Sequence, residues 1–199
     1  MPNKRRLLFM SGGCLWLFVA GAAFAVVSLE WIGTPLARVL AVGVVAVVML
    51  CVVTTGFVMR AVYRLPDRVP PRTGAERTIS RRFGVVFAAE GVGCGAVSWW
   101  CVATHHLPFI AAANIAVVGL HFLPLAQIFS VPRYYATGVL MVVIAVMTAV
   151  MIPTTLPLGH GLAIYAMPAL ACFPVLLITG ILGVRDTWRE TVTTALMSV

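Results

Sequence analysis

The feature that most constrains this chain is a series of six apolar runs, each close to the length of one membrane crossing. A helix needs about 20 apolar residues to cross the hydrocarbon core of a bilayer. The runs are continuous and do not alternate in polarity, which favours helices over the strands of a barrel. The pattern predicts transmembrane helices at approximately 7–29, 36–62, 83–103, 109–129, 135–152 and 161–184.

The composition excludes an ordinary soluble fold. Of the 199 residues, 61% are hydrophobic and 10% are charged, whereas soluble domains are about 25% charged. Six spans leave no room for a separate soluble domain. We therefore predict an all-α, polytopic membrane bundle with short loops, in which residues 1–199 form a single integral-membrane domain.

The start of the chain allows a second interpretation. Three basic residues, an apolar run and the small residues Ala23 and Ala25 also resemble a cleaved signal peptide, whose removal would leave five helices. The apolar run continues through Val26, Val27 and Leu29, as it does in a true span. This continuation favours a retained first helix.

The basic residues are distributed unevenly between the two sides of the predicted bundle. If six helices alternate, Arg38 lies on one side and the remaining basic residues lie on the other. That other side carries Lys4, Arg5, Arg6, Arg60, Arg64, Arg68, Arg72, Arg77, Arg81, Arg82, Arg133, Arg185 and Arg189. Positively charged loops stay in the cytoplasm, so both termini are predicted to be cytoplasmic in a multi-pass protein of the cell inner membrane. Topology thus explains the net charge of +8 without a nucleic-acid partner, and it implies attraction to anionic membrane lipid.

The longest connection, residues 63–82, contains Pro66, Pro70 and Pro71 together with mixed charges. Proline and mixed charge argue against a stable helix, so this segment is predicted to be a basic linker. In the helix that follows, Gly91 and Gly95 form a small-xxx-small pair, which predicts close approach of a neighbouring helix.

Glu90 and His121 are the strongest candidates for a functional site. A carboxylate in the hydrocarbon layer is costly, normally faces protein or water, and is functional by default. The third and fourth helices form a hairpin with its midpoint near residue 106, so Glu90 lies 16 residues before the midpoint and His121 lies 15 after it. Equal depth allows a carboxyl–imidazole pair that shares a proton. Asn114 lies two turns from His121 on the same face of the fourth helix.

Aromatic residues supply candidate walls for a binding site beside the acid. Phe87 and Trp100 lie within about 60° and 80° of Glu90 around the third helix, and Phe122 follows His121. We assign Phe87, Trp100, Phe122 and Asn114 to substrate binding, and Glu90 and His121 to catalysis. Most other aromatic residues fit the interfacial belts of a membrane protein.

Metal and cofactor motifs are missing from the sequence. His105, His106, His160 and Glu30 on the outer side offer zinc or copper ligands, but no HxxxH or HExxH spacing supports a site. The five cysteines fall inside the spans without a CxxC motif, and no phosphate-binding glycine loop is present. We therefore predict neither a metal nor a cofactor.

Two resemblances bear on function. The run GLHFLPLAQIFSVPRYYATG, residues 119–138, resembles a segment of small bacterial multi-helix membrane proteins of mostly unassigned function. In size, helix number, aromatic content and a buried acid, the chain also resembles the integral-membrane terpene cyclases of indole-terpenoid pathways, which start cyclisation with buried acids. That resemblance implies Glu90 as one such acid. The usual second acid is not evident, and Glu30 at the outer boundary is a poor match.

Three functions are compatible with these residues. The first is an intramembrane enzyme that protonates a lipophilic isoprenoid-type substrate and so starts cyclisation or isomerisation, with Glu90 as general acid and His121 orienting or recharging it. The second is a small proton-coupled transporter or channel. The third is a non-enzymatic membrane partner or lipid-binding protein in which Glu90 and His121 only join two helices. The default meaning of an acid inside a membrane favours the first.

Overall fold

The computed structural model describes residues 4–65 and 74–196. Its helices are α1 (Lys4–Ile32), α2 (Pro35–Tyr63), α3 (Gly74–Ala103), α4 (Ile110–Phe129), α5 (Arg133–Met151) and α6 (Ala163–Leu196). All six are long and apolar enough to cross a membrane. The prediction of an all-α, six-helix membrane bundle is therefore confirmed, and the protein is a multi-pass integral membrane protein. Arg68, Arg72 and the three linker prolines lie outside the described residues.

Two helices extend well beyond the predicted spans. The prediction that residues 74–82 form a linker was wrong, because α3 begins at Gly74. The helix-breaking prolines end at Pro71, and the alanine, glutamate and arginines that follow are good helix formers. They extend an existing helix without the cost of nucleating a new one. For the same reason α6 continues past residue 184 to Leu196.

Contacts between helix ends place both described termini on one side of the bundle, here called the terminal side. At this side, Lys4 Nζ donates hydrogen bonds to the carbonyl oxygens of Tyr63 and Leu65, at 2.9 and 3.1 Å. The Phe9 ring lies 5.2 Å from Phe83 and 6.0 Å from Phe129. The ends of α1 to α4 that these residues mark therefore lie together, as alternating helices require. Gly183 of α6 packs on Cys14 of α1, whereas Leu176 packs on Gly21, so α6 runs antiparallel to α1 and its C-terminal end lies on the same side.

The opposite side is closed by short connections. Thr34 caps α2 by accepting a hydrogen bond from the Ala37 amide at 3.2 Å. Strands Pro157–Leu158 and Gly161–Leu162 form a two-stranded antiparallel hairpin that the sequence analysis did not predict. Its turn residue Gly159 has φ +63 and packs on the Ile32 carbonyl, where any other residue would be strained.

The core lies between α1, α4, α5 and α6. Its largest cluster of buried apolar residues includes Leu17, Ile115, Met141, Cys172 and Leu176. In contrast, Cys101 is the one buried residue among the α3 side chains that the structure describes. Helix α3 is therefore an edge helix, attached mainly to α4.

Helices α4 and α5 approach each other closely at a pair of glycines. A Cβ atom on Gly138 would lie 2.6 Å from the Gly119 carbonyl oxygen, so the two backbones touch. The expectation of a close approach at Gly91 and Gly95 was wrong, because no atom of the described chain lies within 4 Å of a Cβ built on either glycine. These glycines lie on the exposed side of the edge helix.

Candidate functional site

Glu90 and His121 face each other across the contact between α3 and α4. The Oε2 atom of Glu90 lies 3.6 Å from Nε2 of His121. The side chains are 18% and 14% exposed, respectively, so both are largely covered by protein. Both residues lie near the middle of their spans, Thr78–Ala103 and Leu107–Phe129. The structure therefore places Glu90 and His121 at equal depth, as the count from the hairpin midpoint predicted.

A backbone contact fixes the orientation of the imidazole. Nδ1 of His121 lies 2.7 Å from the carbonyl oxygen of Val118. A carbonyl oxygen can only accept a hydrogen bond, so Nδ1 is the nitrogen that carries a proton. In the neutral ring, Nε2 then has a free lone pair, and it is turned toward Glu90. This arrangement is one that can accept a proton from the carboxyl group or return one to it.

A second polar contact joins the same two helices nearer the opposite side. The amide Nδ2 of Asn114 donates hydrogen bonds to Ser98 Oγ at 2.9 Å and to the Ile110 carbonyl oxygen at 3.0 Å. Asn114 lies two turns from His121, a rise of about 10 Å. It therefore lines the same helix contact but does not touch the acid. The sequence analysis missed Ser98, although Ser98 and Asn114 each lie eight residues from residue 106 and the hairpin symmetry predicts that they meet.

An aromatic cluster made of Phe9, Trp16, Phe83, Phe87 and Phe129 lies on the terminal side of Glu90. The Phe87 ring lies 6.1 Å from Phe83 and 6.4 Å from Trp16. Phe87 precedes Glu90 by one helical turn and is 47% exposed. The cluster joins α1 and α4 to α3 and presents aromatic surface next to the acid. Phe87 was predicted for this position, whereas the other four members were not singled out.

The remaining predicted wall residues lie in different surroundings. Phe122 is 3% exposed, and its ring lies 4.7 Å from His121 and 5.7 Å from Tyr134. It supports the imidazole from inside the core. Trp100 is 63% exposed and is separated from Glu90 by about 15 Å of helix rise. The structure does not bring Trp100 to the pair, and its role in substrate binding stays a prediction.

A second ion pair joins α5 to α6, and the sequence analysis did not predict it. Nη1 of Arg133 bonds Oδ2 of Asp186, and a Cβ on Gly183 would meet Cys14 and the Arg133 guanidinium. Arg133 had been assigned only to one side of the membrane, and Asp186 had not been singled out. The turn of the β-hairpin lies between residues 159 and 160, and Arg133 and Asp186 are equally far from it along the chain. The hairpin symmetry that locates Ser98 therefore also pairs these two residues, once the position of the turn is known.

The outer histidines do not assemble into a metal centre in the described part of the chain. Residues 4–65 and 74–196 contain no group of three or more histidine, cysteine, aspartate or glutamate side chains placed to hold an ion. His160 packs against Gly33, and the His106 ring lies 6.3 Å from Phe109. These contacts account for two of the three histidines as packing residues.

Comparison with known proteins finds no matching family model, no similar curated protein and no similar solved structure. The residues and geometry of this chain are therefore the basis on which a function can be proposed.

Proposed function

We propose that this protein is an intramembrane enzyme that protonates a lipophilic, isoprenoid-type substrate to start its cyclisation or isomerisation. The observation that carries the proposal is the approach of Glu90 to His121 at 3.6 Å in the middle of two spans. An acid in this position is costly and is functional by default. Glu90 is the general acid, and His121 orients and recharges it.

The pair holds one labile proton in a neutral arrangement, which limits the cost of burying it. In the first step the O–H bond of Glu90 breaks, a C–H bond forms at a substrate alkene, and a carbocation remains on the substrate. In the last step a neighbouring C–H bond breaks, and its proton returns to the carboxylate directly or through Nε2 of His121. The sequence is redox-neutral and needs no co-reactant.

The surroundings of the pair suit a lipophilic substrate. Helix α3 lies at the edge of the bundle, so the α3–α4 contact is open to lipid on its flank. The aromatic cluster begins one turn from the acid, and the faces of aromatic rings attract a positive charge held above them. A substrate entering sideways would place its alkene at Glu90 and its chain along Phe87 and Trp16.

The test is turnover by membranes that contain the wild type or Glu90→Gln, supplied with a panel of prenylated substrates and analysed by mass spectrometry. The substitution keeps the shape of the side chain but removes its ionisable proton. General acid catalysis is worth about 10²–10⁴-fold, so we expect turnover to fall by at least about 10²-fold. Glu30→Gln is the matched control, because Glu30 is exposed at the other end of α1 and should leave turnover unchanged.

Three outcomes would contradict the proposal. Full activity in Glu90→Gln removes Glu90 from the reaction. A wild type that forms no product but carries protons together with a solute into liposomes is a transporter, in which the pair couples proton movement to transport. The absence of both product and flux would favour a membrane partner or lipid-binding protein.

We also propose that the terminal side faces the cytoplasm and that the membrane is the inner membrane of a bacterial cell. The positive-inside rule supports this orientation, since the helix positions of Arg60, Arg82 and Arg189 lie on the terminal side and Arg38 lies on the other. In a variant whose five cysteines are replaced by serine or alanine, Ser80→Cys should resist an impermeant maleimide added to intact cells, and Thr155→Cys should react. The reverse labelling pattern would show that the terminal side faces away from the cytoplasm.

A further inference from the structure

A groove of about 440 Å³ opens between α2 and α6, away from the Glu90–His121 pair. Phe57 and Val58 of α2 form one wall, Ile181 and Val184 of α6 form the other, and Phe18 of α1 closes the floor. Its volume is in the range of small-molecule sites, about 300–1,000 Å³. None of the residues proposed for catalysis lines it, so the groove requires a separate explanation.

Polarity changes along the groove. Thr54 brings a hydroxyl to the wall, but its Oγ1 already donates to the Leu50 carbonyl oxygen at 2.8 Å. The lining is thus apolar until its terminal-side end, where Arg185 and Trp188 lie. A groove that is apolar along its length and ends in a cation and an indole matches one membrane leaflet. The acyl chains of a leaflet lie toward the bilayer centre, and its headgroups lie at the membrane surface.

The charge at this end of the groove is not neutralised within the cluster. Asp186 accepts from Arg133 through Oδ2, and its Oδ1 lies 3.7 Å from Nε of Arg185. Two guanidinium groups therefore share one carboxylate, which leaves a net charge of +1. Arg185 is 56% exposed, so its charge is available to an anion at the mouth of the groove.

The basic surface continues beyond the mouth. Arg64 is the residue that caps the C-terminal end of α2; it follows Phe57 by seven residues, which in helical geometry places it about 20° away around the helix axis. Arg189 follows Arg185 by four residues, about 40° around α6. Both are exposed, and both extend the walls toward the terminal side. The positive charge therefore forms a rim above an apolar groove.

We propose that this groove binds one anionic phospholipid, with an acyl chain between Phe57 and Ile181, which are exposed, and the headgroup phosphate at Arg185. The charge complementarity at the rim selects an anionic headgroup over a zwitterionic one, and the apolar walls require an attached chain. The proposal does not depend on the proposed enzymatic function, because the two sites share no residue.

The test is native mass spectrometry of the full-length protein released from detergent that contains equal amounts of phosphatidylglycerol and phosphatidylcholine. A basic residue near the membrane surface favours anionic lipid by about fivefold. We expect the wild type to retain one phosphatidylglycerol. In Arg185→Gln, the preference for phosphatidylglycerol over phosphatidylcholine should be about fivefold lower. Arg185→Lys keeps the charge and should keep most of the preference. Arg38→Gln, which removes one charge from the other side of the bundle, should not change it.

A second pair of variants tests the acyl-chain contact. Ile181→Trp fills the groove and should reduce retention of both lipids, whereas Val139→Trp at an exposed position of α5 should not. Inorganic phosphate at millimolar concentration should not displace the lipid, because it lacks a chain. Equal effects of Arg185→Gln and Arg38→Gln, equal effects of the two tryptophan variants, or displacement by inorganic phosphate would each overturn the proposal.

Discussion

Glu90 and His121 join α3 to α4 at the edge of the bundle, whereas Arg133 and Asp186 join α5 to α6 beside the core. The second pair lies at the terminal side, where Arg133 begins α5, and its side chains are 21% and 36% exposed. The first pair lies near the middle of two spans and is the more buried of the two, with side chains 18% and 14% exposed. An acid near the middle of a span is costly and is functional by default, whereas an ion pair at the end of two helices has an ordinary structural role. This difference is the reason that we assign chemistry to Glu90 and not to Asp186.

The largest expected difference between the two pairs is in stability. Asp186→Ala leaves a partly buried guanidinium without its partner, which should lower the free energy of unfolding by about 2–3 kcal/mol. Glu90→Gln keeps its size and leaves His121 bonded to Val118, so its effect should stay below about 1 kcal/mol. Unfolding of both variants in mixed detergent micelles measures the two values side by side.

The double variant Arg133→Met with Asp186→Leu is the control for that prediction. Replacing both members of a buried pair by apolar residues is often neutral or stabilising, so it should recover much of the loss. If Glu90→Gln destabilised the protein as much as Asp186→Ala, the first pair would be a structural contact and the enzymatic proposal would lose its basis.

A pair of glycines extends the comparison to the two helix contacts themselves. Gly138→Ala places a methyl group against the Gly119 carbonyl oxygen and should separate α4 from α5 at a cost of about 1–3 kcal/mol. Gly91→Ala meets no atom within 4 Å and should be neutral or stabilising by up to about 1 kcal/mol. The same unfolding experiment checks both. A loss of stability at Gly91 would show that α3 is covered by something other than lipid, such as a second copy of the chain.

The depth of a side chain in the membrane could be predicted from the sequence, but the direction in which it points around its helix could not. The hairpin midpoint near residue 106 places Glu90 level with His121, and the same count pairs Ser98 with Asn114. It does not identify which face of α3 meets protein, because lipid tails are as apolar as a protein core and leave no hydrophobic contrast to read. That is why Gly91 and Gly95 were expected at a helix contact.

The helix ends and the second ion pair escaped prediction for different reasons. Residues 74–82 and 185–196 are polar, so an analysis of apolar runs stops before them, although good helix formers carry α3 and α6 onward. Arg133 was counted as a topology signal, and its residue type alone does not separate an arginine that marks a membrane side from one that binds an aspartate. The pair joins consecutive helices, and the β-hairpin whose turn sets their register was not predicted.

The smallest expected effects come from two interhelical hydrogen bonds, one in each region. Hydrogen bonds between transmembrane helices contribute about 0.6 kcal/mol on average. Ser98→Ala removes the bond to Asn114, and Thr137→Val removes the bond to Thr179 while keeping the shape of the side chain, so each should lower the free energy of unfolding by about 0.6 kcal/mol.

The measurement that separates the two variants is the product pattern in the prenylated-substrate assay. If Asn114 orients a substrate above Glu90, Ser98→Ala frees the amide to turn and alters the ratio of products, whereas Thr137→Val leaves that ratio unchanged. Identical product ratios in the wild type and Ser98→Ala would exclude Asn114 from substrate positioning and would confine the site to Glu90, His121 and the aromatic cluster.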